Sequence, residues 1–272
     1  MSDYLTALLA VAIAWWLSTG IVLLLNRQRS AVQKISALVV SGLVILALFT
    51  VPAVSADRTS TGALTGFAQG LLFWGWLEMI YLMGFVTGSR NQPCPEQTSL
   101  PKRFMLGLQT SIHHELTVVA ALVVVAVLSS SGGNLVALAV LAALSFMRWS
   151  AKLNLFLGVR NYNDDWFPEH LHYLDSYTRR APMNALFPLS VTAGTVVAAV
   201  LLSQGIDNPD PYSRTSMLMV SALVSLGVLE HWFLMIPFGE SALWNWALPD
   251  RTKAPAVNTP ALKPPTAASI PR

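Results

Sequence analysis

Residues 118–128, VVAALVVVAVL, and residues 135–144, LVALAVLAAL, decide the fold class. Both runs are continuous and neither places a polar residue at every second position, so they read as membrane-crossing helices and not as barrel strands. Between them, Ser129 to Gly133 is a short turn with no phosphate-binding pattern. Working outward, apolar runs long enough to cross a bilayer fall near 4–25, 33–54, 62–88, 104–128, 134–157, 184–203 and 212–237. The expectation is an all-α integral membrane protein, a bundle of seven transmembrane helices forming one polytopic domain over residues 1–248.

Composition agrees. The 272 residues are 54% hydrophobic and 11% charged, with a mean hydropathy of +0.53, whereas charged residues make up about a quarter of an ordinary soluble domain. The single cysteine, Cys94, excludes a disulfide framework and any multi-cysteine metal site within the chain. It sits between two prolines in a loop and reads as a bystander. The net charge of +3 would suggest nucleic acid in a soluble protein, but here the basic residues have a topological use and no nucleic-acid partner is expected. Dealt alternately across the seven spans, fifteen Lys and Arg residues fall on one side and two, Arg58 and Arg214, on the other. The positive-inside rule then puts the N-terminus outside and the C-terminus in the cytoplasm, which requires an odd number of spans. The first run lacks a basic flank before it and reads as a retained span, not a cleaved signal.

Two segments lie outside the spans. Residues 161–180, NYNDDWFPEHLHYLDSYTRR, read as a short interfacial helix between spans five and six. Asp165 would cap it, and Trp166, Phe167, Tyr173 and Tyr177 would hold it on the membrane plane. Residues 249–272 carry six prolines and too few large apolar residues to build a core, so they read as a disordered cytoplasmic tail. No internal repeat is evident, which counts against a transporter.

Ionisable groups inside the spans are costly and mark candidate sites. The third span carries Glu78 in WGWLEMIYLMGF, the fourth His113, His114 and Glu115 in SIHHELT, the fifth Arg148 and Lys152, and the seventh Glu230 and His231 in LEHWFLM. Counted from the ends of their runs, Glu78, His113, Arg148 and Glu230 fall roughly 10 to 15 Å below the cytoplasmic boundary at about 1.5 Å per residue. Helical phase lets both His113 and His114 face inward, while Glu115 stands on an adjacent stripe. In the interfacial segment, Glu169 and His172 form a Glu-x-x-His pair, the spacing used in di-iron carboxylate bundles.

Three readings of this layer stay open. One is a metal centre, of iron or another divalent ion, held by Glu78, His113, His114, Glu115, Glu169, His172, Glu230 and His231. A second is a magnesium or iron tetrapyrrole bound through an axial histidine among His113, His114 and His231. The third is a structural network in which Arg148 and Lys152 neutralise the glutamates. The nine tryptophans read as interfacial anchors and bundle packing.

Residues 153–191, LNLFLGVRNYNDDWFPEHLHYLDSYTRRAPMNALFPLSV, with SIHHELT before and LEHWFLMIPFG after, resemble the PuhE family of photosynthetic complex assembly proteins. The resemblance runs from the first helix to about Trp246. In purple phototrophic bacteria that family is encoded beside the reaction-centre H subunit. The resemblance implies a multi-pass protein of the bacterial inner (intracytoplasmic) membrane that helps assemble the reaction-centre and light-harvesting complex and modulates or handles bacteriochlorophyll. Its partners would be membrane lipid and photosynthetic complex subunits or pigment-synthesis proteins. It implies no active site. Beside this first expectation stands an intramembrane metal-dependent enzyme acting on a tetrapyrrole, quinone or carotenoid-type substrate. Transport ranks last, because the outer halves of the spans offer no ionisable residue.

Overall fold

The computed structural model describes residues 2–162, 168–236 and 243–247, with side chains from Tyr4 onward. Among these residues every regular element is helical: α1 (Ser2–Asn26), α2 (Ser30–Ala56), α3 (Ser60–Leu82), α4 (Leu100–Gln109), α5 (Ile112–Ser129), α6 (Val136–Leu157), α7 (Leu186–Gly205) and α8 (Pro211–Phe233). A 3-10 helix spans Glu169–Tyr177, and one isolated parallel bridge joins Val159 to Arg180. The expected tail, 249–272, and the expected cap and aromatic anchors Asp165, Trp166 and Phe167 lie outside the described residues.

Among the described residues six helices are long and apolar enough to cross a membrane: α1, α2, α5, α6, α7 and α8. Their outer faces are covered with exposed Leu, Ile, Val and Phe, as lipid contact requires. The remaining long helix, α3, is interrupted by Gly, Gln, Trp and Glu78 and falls short of that apolarity. It is instead enclosed, packing against α1, α2, α5, α6 and α8. A helix surrounded by protein has no need of an apolar face all round. Glycine lets α6 come close to it: a Cβ on Gly70 would lie 2.6 Å from the Val140 Cβ, the small-residue contact by which membrane helices pack without a hydrophobic driving force.

Two expectations about boundaries are corrected. The run 62–88 is helical only to Leu82, because Gly84 turns the chain with a φ of +78° that glycine adopts freely. The run 104–128 is two helices, α4 and α5, interrupted at Thr110–Ser111. The returning segment after α3 occupies the break: Arg90 N–H donates to the Gln109 carbonyl at 3.2 Å, and His114 N–H donates to the Thr87 carbonyl at 2.9 Å. The broken backbone is thus satisfied by protein, the condition for irregular chain at membrane depth. The segment after α6, expected as a short interfacial helix, forms the 3-10 helix Glu169–Tyr177. Its Leu171 and Tyr177 are buried in the protein, and the Tyr177 hydroxyl accepts from Arg90 Nε at 2.6 Å.

Residues 243–247 return to α1. Trp244 packs edge-on against Trp15 and donates from Nε1 to the Trp16 carbonyl at 2.9 Å, while Trp16 Nε1 donates to the Leu243 carbonyl at 2.7 Å. Trp244 is almost fully buried, so this tryptophan is bundle packing and not an interfacial anchor.

Candidate functional site

The C-terminal halves of α1, α3, α6 and α8 enclose a cavity of about 260 Å³. All four contribute from the same half, so these helices run in one direction. Apolar side chains make most of the wall. Glu78 from α3, Arg148 from α6 and Glu230 from α8 supply charge, and Trp15, Trp74 and Trp244 supply aromatic surface. The Trp15 Nε1–H donates to Glu230 Oε1 at 2.9 Å, fixing that carboxylate at one edge.

The other carboxylates stand in two nodes. At the first, Glu78 Oε2 lies 3.3 Å from Arg148 Nη2, and Glu78 Oε1 lies 3.7 Å from His114 Nε2. The second distance is too long for a hydrogen bond, and Glu78 Oε1 has no such partner among the described residues. At the second node, between α5 and α6, Glu115 Oε1 accepts from Lys152 Nζ at 2.6 Å and from Ser111 Oγ at 3.0 Å, while Oε2 accepts from Trp149 Nε1 at 2.6 Å. Tyr81 joins the nodes: the His114 ring stacks on it with centroids 4.5 Å apart, and Lys152 Nζ lies 5.0 Å from its centroid.

The eight expected ligands are therefore distributed. Glu78 and Glu230 share the cavity wall, with Arg148. His114 is buried beside Glu78. His113 is exposed, contrary to the expectation that turned both histidines inward; the roughly 100° between consecutive residues separates them once His114 packs on Tyr81. His231 is buried and spent within the bundle. Its Nδ1–H donates to the Gly227 carbonyl at 2.8 Å, which leaves Nε2 to accept from the Ser150 hydroxyl at 2.9 Å. Glu169 and His172 are both exposed on the 3-10 helix. Of that segment's histidines, it is His170 that meets α3, seated over Gly84, where a Cβ would lie 2.9 Å from its Nε2. Among the described residues, no three His, Cys, Asp or Glu side chains gather so as to hold a metal ion.

Several residues of the layer are not marked by the sequence pattern. Trp149 and Ser150 precede Lys152 on α6 and serve Glu115 and His231. Tyr81 sits one turn beyond Glu78, the spacing that shares a face, and that spacing is a usable signal. Trp15 and Trp244 offer none, since their role depends on a contact between chain segments more than 200 residues apart.

A family model described as a protein of unknown function (DUF3623) matches residues 1–255. The chain belongs to the DUF3623 family. It is 36% identical over 252 residues to an "uncharacterized 30.4 kDa protein in puhA 5'region" of Rhodobacter capsulatus, covering 91% of this chain and 92% of that one. No solved structure matches it. The match spans α1 to α8, so the cavity and both charged nodes lie wholly within the family's extent.

Proposed function

We propose that this DUF3623 protein is an assembly factor for the photosynthetic reaction-centre and light-harvesting complex, of the PuhE type, acting in the bacterial inner membrane and handling or regulating bacteriochlorophyll supply. The observation that carries this reading is the 36% identity over nearly the full length of both chains to a protein whose name places its gene in the puhA 5' region, the gene neighbourhood that the PuhE resemblance implies. A buried, charge-neutralised bundle with a lipid-facing exterior supports a role in holding or presenting membrane partners. Deleting the gene in its phototrophic host should slow or unbalance accumulation of the complex under inducing conditions and leave respiratory growth unchanged. Unaltered pigment level, complex yield and adaptation kinetics would remove the assembly role.

The same reading takes α3 as a seventh span and α4 with α5 as one broken span, with the N-terminus periplasmic and the C-terminus cytoplasmic. The fifteen-to-two division of basic residues supports it, as does the common direction of α1, α3, α6 and α8, the alternate members of a seven-span order. Reporter fusions after Asp57, Ser99, Gly132, Asn163, Asn208 and Lys253 should alternate in location, and two adjacent fusions on one side would remove a span.

A second reading, a metal-dependent membrane enzyme, is favoured by one contact, the Glu78–His114 approach at 3.7 Å. These two donors would have to recruit Glu115 by releasing Lys152. Metal analysis of purified protein tests it: stoichiometric iron that is lost in His114→Ala supports the centre, and metal-free protein removes it.

A further inference from the structure

The cavity's walls define a ligand more narrowly than its position does. Arg148 and Glu78 stand on its wall as an ion pair, and Glu230 lines it from α8. An anionic head would meet two carboxylates against one guanidinium. An amine would suit the carboxylates and be repelled by Arg148. A bare acyl chain would leave Glu78 Oε1 and Arg148 Nε, which have no hydrogen bond among the described residues, still without one, at the cost that buried unsatisfied polar atoms carry. What remains is a neutral head that both accepts and donates hydrogen bonds through oxygen. Arg148 can supply the donors: a guanidinium carries five N–H groups, its ion pair is the 3.3 Å contact to Glu78, and 31% of its side chain is accessible.

Size and surface narrow the choice further. About 260 Å³ lies just under the roughly 300–1,000 Å³ of common small-molecule sites, room for one substituted ring and not for a macrocycle. No histidine is among the described lining residues, so a metallated tetrapyrrole would find no axial imidazole there. The indoles of Trp15, Trp74 and Trp244 give the walls the flat, polarisable surface on which a ring packs.

We propose that this cavity binds the head of a single-ring quinone or quinol, with a ring carbonyl accepting from Arg148 and a ring hydroxyl donating to Glu78 or Glu230. This inference rests on the cavity alone and stands apart from the assembly role, so failure of binding in vitro leaves the deletion phenotype to be judged by itself.

Gly75 provides a steric test. It lines the cavity, and a Cβ built on it meets nothing within 4 Å, so a larger side chain there fills the cavity without striking the backbone. Gly42 on α2 also faces open space but lies outside the cavity, and Gly42→Leu is the matched control. Purified protein in lipid nanodiscs would be titrated with a decyl-substituted benzoquinone, and separately with its reduced quinol, by tryptophan quenching and by equilibrium dialysis. Wild type and Gly42→Leu should bind saturably at one site. Gly75→Leu should weaken binding at least tenfold, about 1.4 kcal/mol, with an unchanged melting temperature. Either Glu230→Gln, which keeps an acceptor for Trp15, or Glu78→Gln should weaken the quinol more than the quinone. Equal affinity in Gly75→Leu and Gly42→Leu would overturn the site, and so would absence of saturable binding in wild type. Displacement of the quinone by an equal concentration of monoacylglycerol would overturn the ring specificity in favour of a neutral lipid. If Gly75→Leu fails to fold, a quinol-selective loss in Glu230→Gln or in Glu78→Gln decides the matter, and equal affinities for both forms in both variants would overturn the proposal.

Discussion

Glu78 and Glu115 are matched in everything but their partners. Their side chains are 14% and 15% exposed, their basic partners Arg148 and Lys152 are 31% and 26% exposed, and both pairs bridge to α6. Yet Glu115 accepts three hydrogen bonds of 3.0 Å or less, while Glu78 holds a 3.3 Å ion pair, a 3.7 Å approach and one oxygen with no hydrogen bond among the described residues. The Glu115 node is closed and can do little except hold α5 to α6. The Glu78 node borders the cavity and keeps hydrogen-bonding capacity unspent. Burying a charge is expensive in both places, but only at Glu78 is the compensation incomplete, and incomplete compensation beside a cavity is what a ligand can relieve. The two nodes thus separate a structural use of buried charge from a binding use within one layer of the bundle.

The strongest way to break this comparison is at the closed node. Lys152→Met leaves the Glu115 carboxylate buried without its cation, which costs about 3–5 kcal/mol in comparable pairs. Thermal unfolding in detergent should show a large fall in Tm and in folded yield. Glu115→Gln combined with Lys152→Met removes both charges and retains an acceptor for Trp149 and Ser111, so most of the loss should return. A double variant no more stable than the single one would mean that Lys152 acts through its packing over Tyr81 and not through Glu115.

At the open node the expected loss is smaller. Arg148→Met removes a longer contact than the one Lys152 makes, and His114 stays 3.7 Å from Glu78. The cost should be about 1–3 kcal/mol, that of a buried group left under-satisfied. An Arg148→Met protein as damaged as Lys152→Met would show that both nodes are structural. Below both falls Ser150→Ala, which strips the donor from His231 Nε2, buried and hydrogen-bonded at 2.9 Å. Loss of one neutral hydrogen bond should cost about 0.5–1.5 kcal/mol, again read as a shift in Tm.

How much of this is legible in the sequence depends on which residues carry local information. The apolar runs mark α1, α2, α6, α7 and α8 directly, because lipid-facing helices must be apolar wherever they cross. Counting residues from the span ends also brings Glu78, Arg148 and Glu230 to one depth, and they do line one cavity. Depth is a one-dimensional quantity. It does not say that His113 turns outward, since that depends on which face of α5 meets Tyr81. Nor does it reveal the break at Thr110–Ser111. Both residues fit a helix well enough, and the helix is interrupted by Gly88 entering from another part of the chain, where a Cβ would lie 2.1 Å from the Gln109 carbonyl. The cavity itself depends on Gly75, Gly227 and Ala143 coinciding across three helices, a fact about empty space that no single segment records.

The mildest effect belongs to a third acidic–basic pair, the same chemistry without burial. Asp210 begins α8 and lies 3.7 Å from Arg58, with side chains 46% and 58% exposed. At that exposure an ion pair contributes little, so Arg58→Ala should leave Tm unchanged. Capping is the better-founded role: Asp210 Oδ2 accepts from the Ser213 hydroxyl at 2.6 Å and from the Ser213 N–H at 3.1 Å. These bonds, the hydroxyl's first, hold the Asp210 carboxyl below its ordinary range, with Arg58 adding a lesser pull. A folded-state pKa lowered in this way contributes stability that is complete above the unfolded value, near 3.9 for aspartate, and disappears as pH falls through the lowered one. Asp210→Ala should therefore melt slightly below wild type at pH 7. The gap should stay constant down to about pH 4 and close with further acidification, measured in one detergent at constant ionic strength. A gap that persists to the lowest pH would assign the loss to helix propensity instead of the carboxylate. An Arg58→Ala effect as large as that of Asp210→Ala would credit the exposed ion pair and blur the line drawn between buried and solvated charge.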